Sequence, residues 1–441
     1  MAAADRLPRA VQSTRRFSAI HATKLLLLAV LTGWVCARGI LPALRGIDHD
    51  FPGYFTAAKI VADGGDAQNL YDNTWFREQV RRYGMEDPRN PAKFAPFPPP
   101  TALLLLPLTP LKPLTALRVV VGVSVLSLML SMFLVARSFS WSVLDAAIFI
   151  LASGLGILSG LRFGQPYILV SMLCLLGYYL YLTGRPWLAG LALGVLLPIK
   201  YFPVVVPAGL ALRREWKVVL ASVIAVVGVA LISIAELGWP VHQTFLKSVL
   251  GNHLTGHLSL HQYSVPFTAV YQSFDTLIDR LLVYDPTWNP QPLLDAPRLR
   301  VVALVVIKAS IVAAAAATIY GLVRREAAAA AAPAIGILGI LVLLLAPATA
   351  TYTFVLLWLP VALLVEHFLT RHQPVAAYLV LAFYALIGFI PYGHTQVFEG
   401  HGGLGVLAFP RLLLMLAMFS TSVWFLALPR PHGQPNAHVP A

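Results

Sequence analysis

The sequence predicts an all-α integral membrane protein, a polytopic helical bundle with about twelve transmembrane helices. Three observations predict it. Of 441 residues, 58% are hydrophobic and only 12% are charged, and mean hydropathy is +0.74, a balance foreign to a water-soluble domain. The apolar residues gather in runs near 22–41, 114–136, 141–161, 166–182, 186–199, 201–212, 217–237, 298–322, 333–346, 351–369, 374–391 and 410–428. Basic residues then fall on alternate connections: Arg15 and Arg16, Arg137, Arg185, Arg213 with Arg214 and Lys217, Arg324 with Arg325, Arg371 and Arg430. Lys and Arg resist translocation, so these connections are predicted to be cytoplasmic.

The N-terminal stretch MAAADRLPRAVQSTRRF is basic and runs into apolar Leu25–Val35 without a small-residue cleavage site. Residues 1–21 are therefore expected to be a cytoplasmic tail leading into a retained signal anchor. Residues 22–428 form the predicted membrane domain, and PRPHGQPNAHVPA, 429–441, a disordered cytoplasmic tail. The outer side receives the loop 42–98, the turn at Arg162–Gln165, the turn at Lys200, the loop 238–297, the turn Pro347–Thr353 and the loop 392–409. Outer segments 42–113 and 238–297 are expected to cap the bundle. In the first, the spacing predicts a short interfacial helix beginning near Asp50 and a second helix from Asn73 to Tyr83. Prolines in FAPFPPP force an extended segment, after which TALLLLPLTPL is predicted to be a re-entrant or interfacial hairpin. A helix of about 14 residues covers only about 21 Å. Runs 186–199, 201–212 and 333–346 are thus predicted to be broken or protein-buried helices bordering a cavity.

Net charge is +13, but the basic residues are scattered through short loops with no aromatic-interleaved stripe, which points to topology and anionic lipid and away from nucleic acid. Cys36 and Cys174 lie in different apolar runs and are read as packing residues, with no disulfide.

The polar residues of the outer side carry the candidate chemistry. In GIDHDFPGYF, Asp48 and Asp50 stand where the chain meets water, so a carboxylate there can stay ionised facing a cavity, as a general base requires. Tyr54 follows Asp50 at helical spacing. Helix capping is the alternative use of either aspartate, and an Asp48–His49–Asp50 cation site would lack a third ligand. Lys200 interrupts two apolar half-helices, where a charge is costly unless paired, and phosphate suits it. A lysine snorkelling to the interface is the alternative. Arg162 and Gln165 share a Gly-rich turn, where a guanidinium can clamp phosphate and an amide can hold a sugar hydroxyl. His253, His257 and His261 recur at four-residue steps, with no carboxylate beside them to favour a metal.

An order of short motifs resembles the GT-C integral-membrane glycosyltransferases, and among them glycosyltransferase family 87. Asp50, Phe51 and Tyr54 match an Asp-Phe-x-x-Tyr signature after the first span; Gly65, Tyr71 and Asp72 match the following "G…YD". Phe97, Pro98 and Pro99 match an aromatic-Pro-Pro element, Gly164 and Gln165 a Gly-Gln turn, and Ile199, Lys200 and Pro203 an "IKxxP" break. Two positions depart: Tyr167 stands where the family usually has Asn, and Tyr352 where it often has a histidine. The resemblance implies a GT-C-like fold and transfer of a hexose, mannose first, from a polyprenyl-phosphate donor to a lipid or glycan hydroxyl, with inversion. It implies Asp50 as base; Arg162, Gln165, Lys200, His261 and Gln262 at the donor, with Gln262 and Ser264 partly reproducing an Asn-Gln-Ser element; and Asp48, Tyr54, His257 and Tyr352 at the substrate. The lipid-linked donor stands in place of a cofactor, no metal is predicted although a divalent ion is open, and no nucleic acid is involved. The expected location is the inner (plasma) membrane, with the site extracytoplasmic, so a nucleotide-sugar donor is not expected. The alternative reading is a transporter or flippase for a lipid-linked or anionic substrate.

Overall fold

The computed structural model describes residues 9–48, 50–87, 91–254, 267–327, 329–391, 393 and 395–428. Helix α1 (Arg9–Val35) continues through a π-turn at Cys36–Ile40 into α2 (Leu41–Arg45). Two short helices follow, α3 (Phe51–Ala62) and α4 (Asn73–Arg82), the latter started by Asp72, whose carboxylate accepts from Thr74 N and Trp75 N. The predicted hairpin at Pro99–Leu108 is a pair of 3₁₀ turns that does not cross the bundle.

The remaining apolar runs are α5 (Pro113–Phe139), α6 (Val143–Leu151), α7 (Leu155–Arg162), α8 (Tyr167–Leu182), α9 (Pro186–Gly194), α10 (Val205–Ala211) and α11 (Trp216–Leu237). The second outer segment carries α12 (Trp239–Thr244), a π-turn Phe245–Leu250, α13 (Gly251–Leu254) and α14 (Phe274–Leu282). It is followed by α15 (Pro297–Glu326), α16 (Ala331–Leu345), a 3₁₀ turn Thr351–Leu357 leading into α17 (Trp358–Thr370), α18 (Pro374–Phe389) and α19 (Pro410–Ala427). The fold is an all-helical membrane bundle.

Each predicted apolar run contains helix, but among the described residues six helices are long and apolar enough to cross a membrane, or seven if α6 and α7 form one bent span. That is fewer than the twelve expected. The remaining runs hold shorter helices, some of them enclosed by neighbours: α10 has 7 residues and α16 has 15, most of them buried in protein. A helix surrounded by others need not match the bilayer by itself. Helix α3 also departs from expectation. Phe51 to Ala58 are all buried, so it is packed inside the protein and does not lie on a membrane surface. FPGYFTAA has apolar or small residues on every face, and only Lys59 and Asp63, paired at 3.0 Å, mark an outward side. Cys174 is buried as expected, whereas Cys36 lies on the outside of the bundle.

The break between α6 and α7, bent by 70°, directs α7 towards the site. Its polar groups are met from inside the bundle: Trp358 Nε1 donates to Ser153 Oγ at 3.0 Å and Tyr384 Oη to the Phe149 carbonyl at 3.0 Å. Gly154, at φ +49°, faces Gly388 of α18 so closely that a Cβ on Gly388 would lie 2.1 Å from the Ala152 carbonyl oxygen. Substituting Gly388→Ala should therefore push α18 off the break and cost about 1–3 kcal/mol, read as a fall of several degrees in the unfolding midpoint of the detergent-solubilised protein. Gly33→Ala, with nothing within 4 Å of the new methyl, should not lower the midpoint, since alanine is the better helix former.

Candidate active site

Asp50 stands at the N-cap position of α3, yet its side chain accepts no capping bond from the helix. Oδ2 instead accepts from Gln165 Nε2 at 2.6 Å. The amide oxygen of Gln165 accepts from Tyr54 Oη at 2.7 Å, and Tyr54 Oη accepts from Lys200 Nζ at 3.1 Å. A carboxylate, an amide, a phenol and an ammonium thus form one continuous chain. Local sequence explains each placement. Tyr54 is one helical turn beyond Asp50. Gln165 follows Gly164, where a φ of +62° and a Cβ position only 3.0 Å from the Phe51 side chain leave room for glycine alone. Lys200 is held in the turn between α9 and α10, its N–H donating to the Leu196 carbonyl at 2.8 Å.

Lys200 is buried, and three rings surround its ammonium: Tyr167 at 4.6 Å, Phe97 at 4.7 Å and Tyr54 at 5.6 Å from their centroids. Cation–π contacts of this kind contribute about 0.5–2 kcal/mol each. Burial pushes the Lys200 ammonium down to about 7, while the charge of Asp50 pulls it back up. Burial, and next the Asp50 charge, hold the Tyr54 phenol well above its ordinary range, so it remains a neutral donor; Tyr271 is raised for the same two reasons.

Asp50 and Lys200 both line a cavity of about 500 Å³, within the range of small-ligand sites. Its wall includes Lys93, Phe97, Tyr167, Tyr271 and Tyr352, together with Phe245, Val249 and Leu250 of the π-turn. Tyr352 stacks on Tyr167 at 5.2 Å. On the far side of Lys200 a smaller, mainly apolar pocket of about 40 Å³ lies against α16.

Asp48 and Arg162 pair with each other at 3.3 Å, both partly exposed, beside the cavity and not on its wall. Gln165 and Tyr54 stand behind Asp50, buried, with both ends of the Gln165 amide engaged within the protein. His257, His261 and Gln262 lie outside the described residues, as do His49, Ser264 and His394. Among the described residues no three His, Cys, Asp or Glu side chains gather as a metal site would need.

The structure adds residues that motif order did not single out. Lys93 lines the cavity half-buried, its ammonium held below the usual range by burial and then by Arg77, and its carbonyl would lie 2.8 Å from a Cβ on Gly53. Arg411 is fully buried, donating to the Ile390 carbonyl at 2.9 Å and to Thr351 Oγ1 on the cavity wall at 2.7 Å. An arginine at the start of the last apolar run, on the side expected to be outer, departs from the expected positive-inside pattern, and that is its sequence signal. Gln272 and Ser273, a Gln-Ser pair near the one expected, are buried and fasten the second outer segment: Gln272 Nε2 donates to the Ala269 and Ala408 carbonyls, and Ser273 Oγ to the Pro347 carbonyl.

Fold and site together define a helical membrane protein with a cavity lined by charged and aromatic side chains. A sequence profile narrows the class: residues 94–347, more than half of the chain, match glycosyltransferase family 87, and the protein belongs to that family. It is a membrane glycosyltransferase. The matched region contains Gln165 and Lys200, while Asp50 and Tyr54 precede it and Tyr352 follows it. No curated protein and no solved structure matches the chain.

The position of the Lys200 equilibrium generates a pH test. In the free protein its charge is present below about 7 and lost above it. Binding of a short prenyl phosphodiester, which does not itself titrate in this range, should weaken as pH rises from about 6 to about 8.5. In Lys200→Arg the same titration should be flat, and in Lys200→Met binding should be weak throughout.

Proposed function

We propose that this protein transfers a hexose, mannose on the strength of the family resemblance, from a polyprenyl-phosphate donor to a hydroxyl of a lipid or glycan acceptor, at the extracytoplasmic face of the inner membrane. The reaction is a single displacement with inversion. The acceptor oxygen bonds to the anomeric carbon as the bond from that carbon to the phosphate oxygen breaks, and polyprenyl phosphate leaves with the electron pair. The acceptor proton passes to the carboxylate of Asp50. Lys200 meets the phosphate charge, with Lys93 on the same wall and Arg162 beside the entrance. Tyr352, Tyr271 and Tyr167 offer flat faces and hydroxyls to sugar and acceptor. Asp48 pairs with Arg162 beside the cavity; on the family resemblance, His261 and Gln262 serve the donor and His257 the substrate.

The observation that carries this reading is that a carboxylate and a buried ammonium line one cavity, in a chain of glycosyltransferase family 87. A displacement at a phosphorylated sugar needs those two groups, one to take a proton and one to hold the departing anion. Basic residues on the opposite connections support the assignment of the chamber to the outer face, and an isoprenoid donor fits a site whose walls are largely aromatic and apolar.

The test incubates the purified protein in lipid with a panel of polyprenyl-phosphate sugars and membrane-lipid acceptors. The parent should transfer one sugar, and Asp50→Asn should lose roughly 10²–10⁴-fold in turnover while still binding donor. An Asp50→Asn protein that transfers sugar at the parent's rate would remove Asp50 as the base.

A further inference from the structure

We infer that Gln165 is a positioning residue for Asp50, its amide locked in one orientation by a directional hydrogen-bond chain that starts at the Lys200 ammonium and runs through Tyr54. The inference rests on the reading of Asp50 as the base, and it adds a means by which the cationic end of the chamber sets the geometry of the carboxylate end.

While Lys200 is protonated its ammonium donates and never accepts, so in that state Tyr54 Oη must accept from Lys200 Nζ. The phenol has one proton, and with the ammonium on its lone pair that proton goes to Gln165 Oε1, 2.7 Å away. The amide oxygen is thereby fixed towards Tyr54, and the two-proton end of the amide faces Asp50 Oδ2 at 2.6 Å. The flipped amide would set its oxygen against a carboxylate oxygen and its N–H groups against a phenol already receiving the ammonium. Each contact therefore excludes the reversed arrangement of the next. All three supporting side chains are shielded from water, with relative exposures of 1% for Tyr54, 0% for Gln165 and 8% for Lys200. No solvent molecule needs to enter for the chain to close.

The arrangement explains why Asp50 declines its capping role. Asp50 and Tyr54 sit one turn apart on α3, so the same glutamine can engage both, and the Gly164 turn pressed on Phe51 holds that glutamine against the start of the helix. Among the described residues, the titratable groups facing Asp50 across the site include Lys200, Tyr54, Tyr167, Tyr271 and Tyr352, with Lys93 on the same wall. None of these is a second carboxylate, and introducing one at position 165 is a specific perturbation.

The experiment records pH–rate profiles of the full-length protein in lipid, with donor KM, for Gln165→Leu, Gln165→Glu, Tyr54→Phe and the double variant Gln165→Leu/Tyr54→Phe, beside Asp50→Asn. Gln165→Leu should lower kcat by about 10–100-fold with donor KM within about twofold, and move the acid limb upward because the carboxylate loses a donor. Gln165→Glu, nearly isosteric, should move that limb up by about one pH unit or more, since a like charge then faces Asp50. Tyr54→Phe should act in the same direction by a smaller factor and add nothing to Gln165→Leu, as members of one chain do. A purely structural role would reduce the amount of active protein and leave the limb in place. If Gln165→Leu fails to fold, Gln165→Glu and Tyr54→Phe still decide the matter. Parent-like profiles in the Gln165 variants, or additive losses in the double variant, overturn the inference while Asp50→Asn remains inactive. An active Asp50→Asn instead overturns the reading on which the inference rests.

Discussion

An ammonium buried in an apolar bundle must be compensated, and that requirement at Lys200 organises the chamber. Taking a charged group out of water costs several kcal/mol even after relaxation. Here the compensation is distributed: three aromatic faces, one phenol oxygen, and a carboxylate reached through two intervening side chains. No carboxylate among the described residues forms an ion pair with Lys200 at contact distance, which on the proposed reading leaves its charge available to a phosphate. A direct Lys–Asp pair would satisfy both charges and offer less to a phosphate.

The backbone features that look like interruptions deliver these groups. The bend between α6 and α7 is stitched by Trp358 and Tyr384, and the Gly164 turn presses onto Phe51. The Lys200 turn separates α9 from α10, and Gly53 lets the 91–98 segment approach α3. Each break frees polar backbone that needs partners from protein or water. Breaks and chamber therefore occur together, the cavity forming where the helices stop. Arg411 and Gln272 extend the same logic to the second outer segment and tie the last helix to the wall at Thr351.

Much of this was legible in the sequence. The apolar runs contain helix, Asn73–Arg82 forms α4, and Lys200 between two apolar half-helices lines the cavity, because periodicity and the cost of a buried charge are local signals. Tyr54 follows Asp50 at helical spacing in the sequence, and in the structure the two stand one turn apart at the start of α3. The burial of α3 was not legible, since an apolar, glycine-containing helix reads the same whether lipid headgroups or protein covers it. The partner of Gln165 was equally hidden: residues 115 apart in sequence meet only through tertiary packing. Lys93 and Arg411 carried weak cues, a lysine in a proline-rich loop and an arginine on the outer side, that gain meaning only when the cavity is seen. The expected count of twelve rests on apolar runs, and a run that folds as a short helix among neighbours is relieved of the bilayer's length requirement.

Transfer by this route requires a sugar phosphate lying between Lys200 and Asp50. The most direct measurement is a cryo-electron microscopy structure of the protein in lipid with a non-hydrolysable polyprenyl-phosphate-sugar analogue. Density for the phosphate is expected within contact of the Lys200 ammonium, with the anomeric carbon turned towards the Asp50 carboxylate and the prenyl chain leaving between helices. Density that places the phosphate elsewhere, with the sugar out of reach of Asp50, would contradict that requirement.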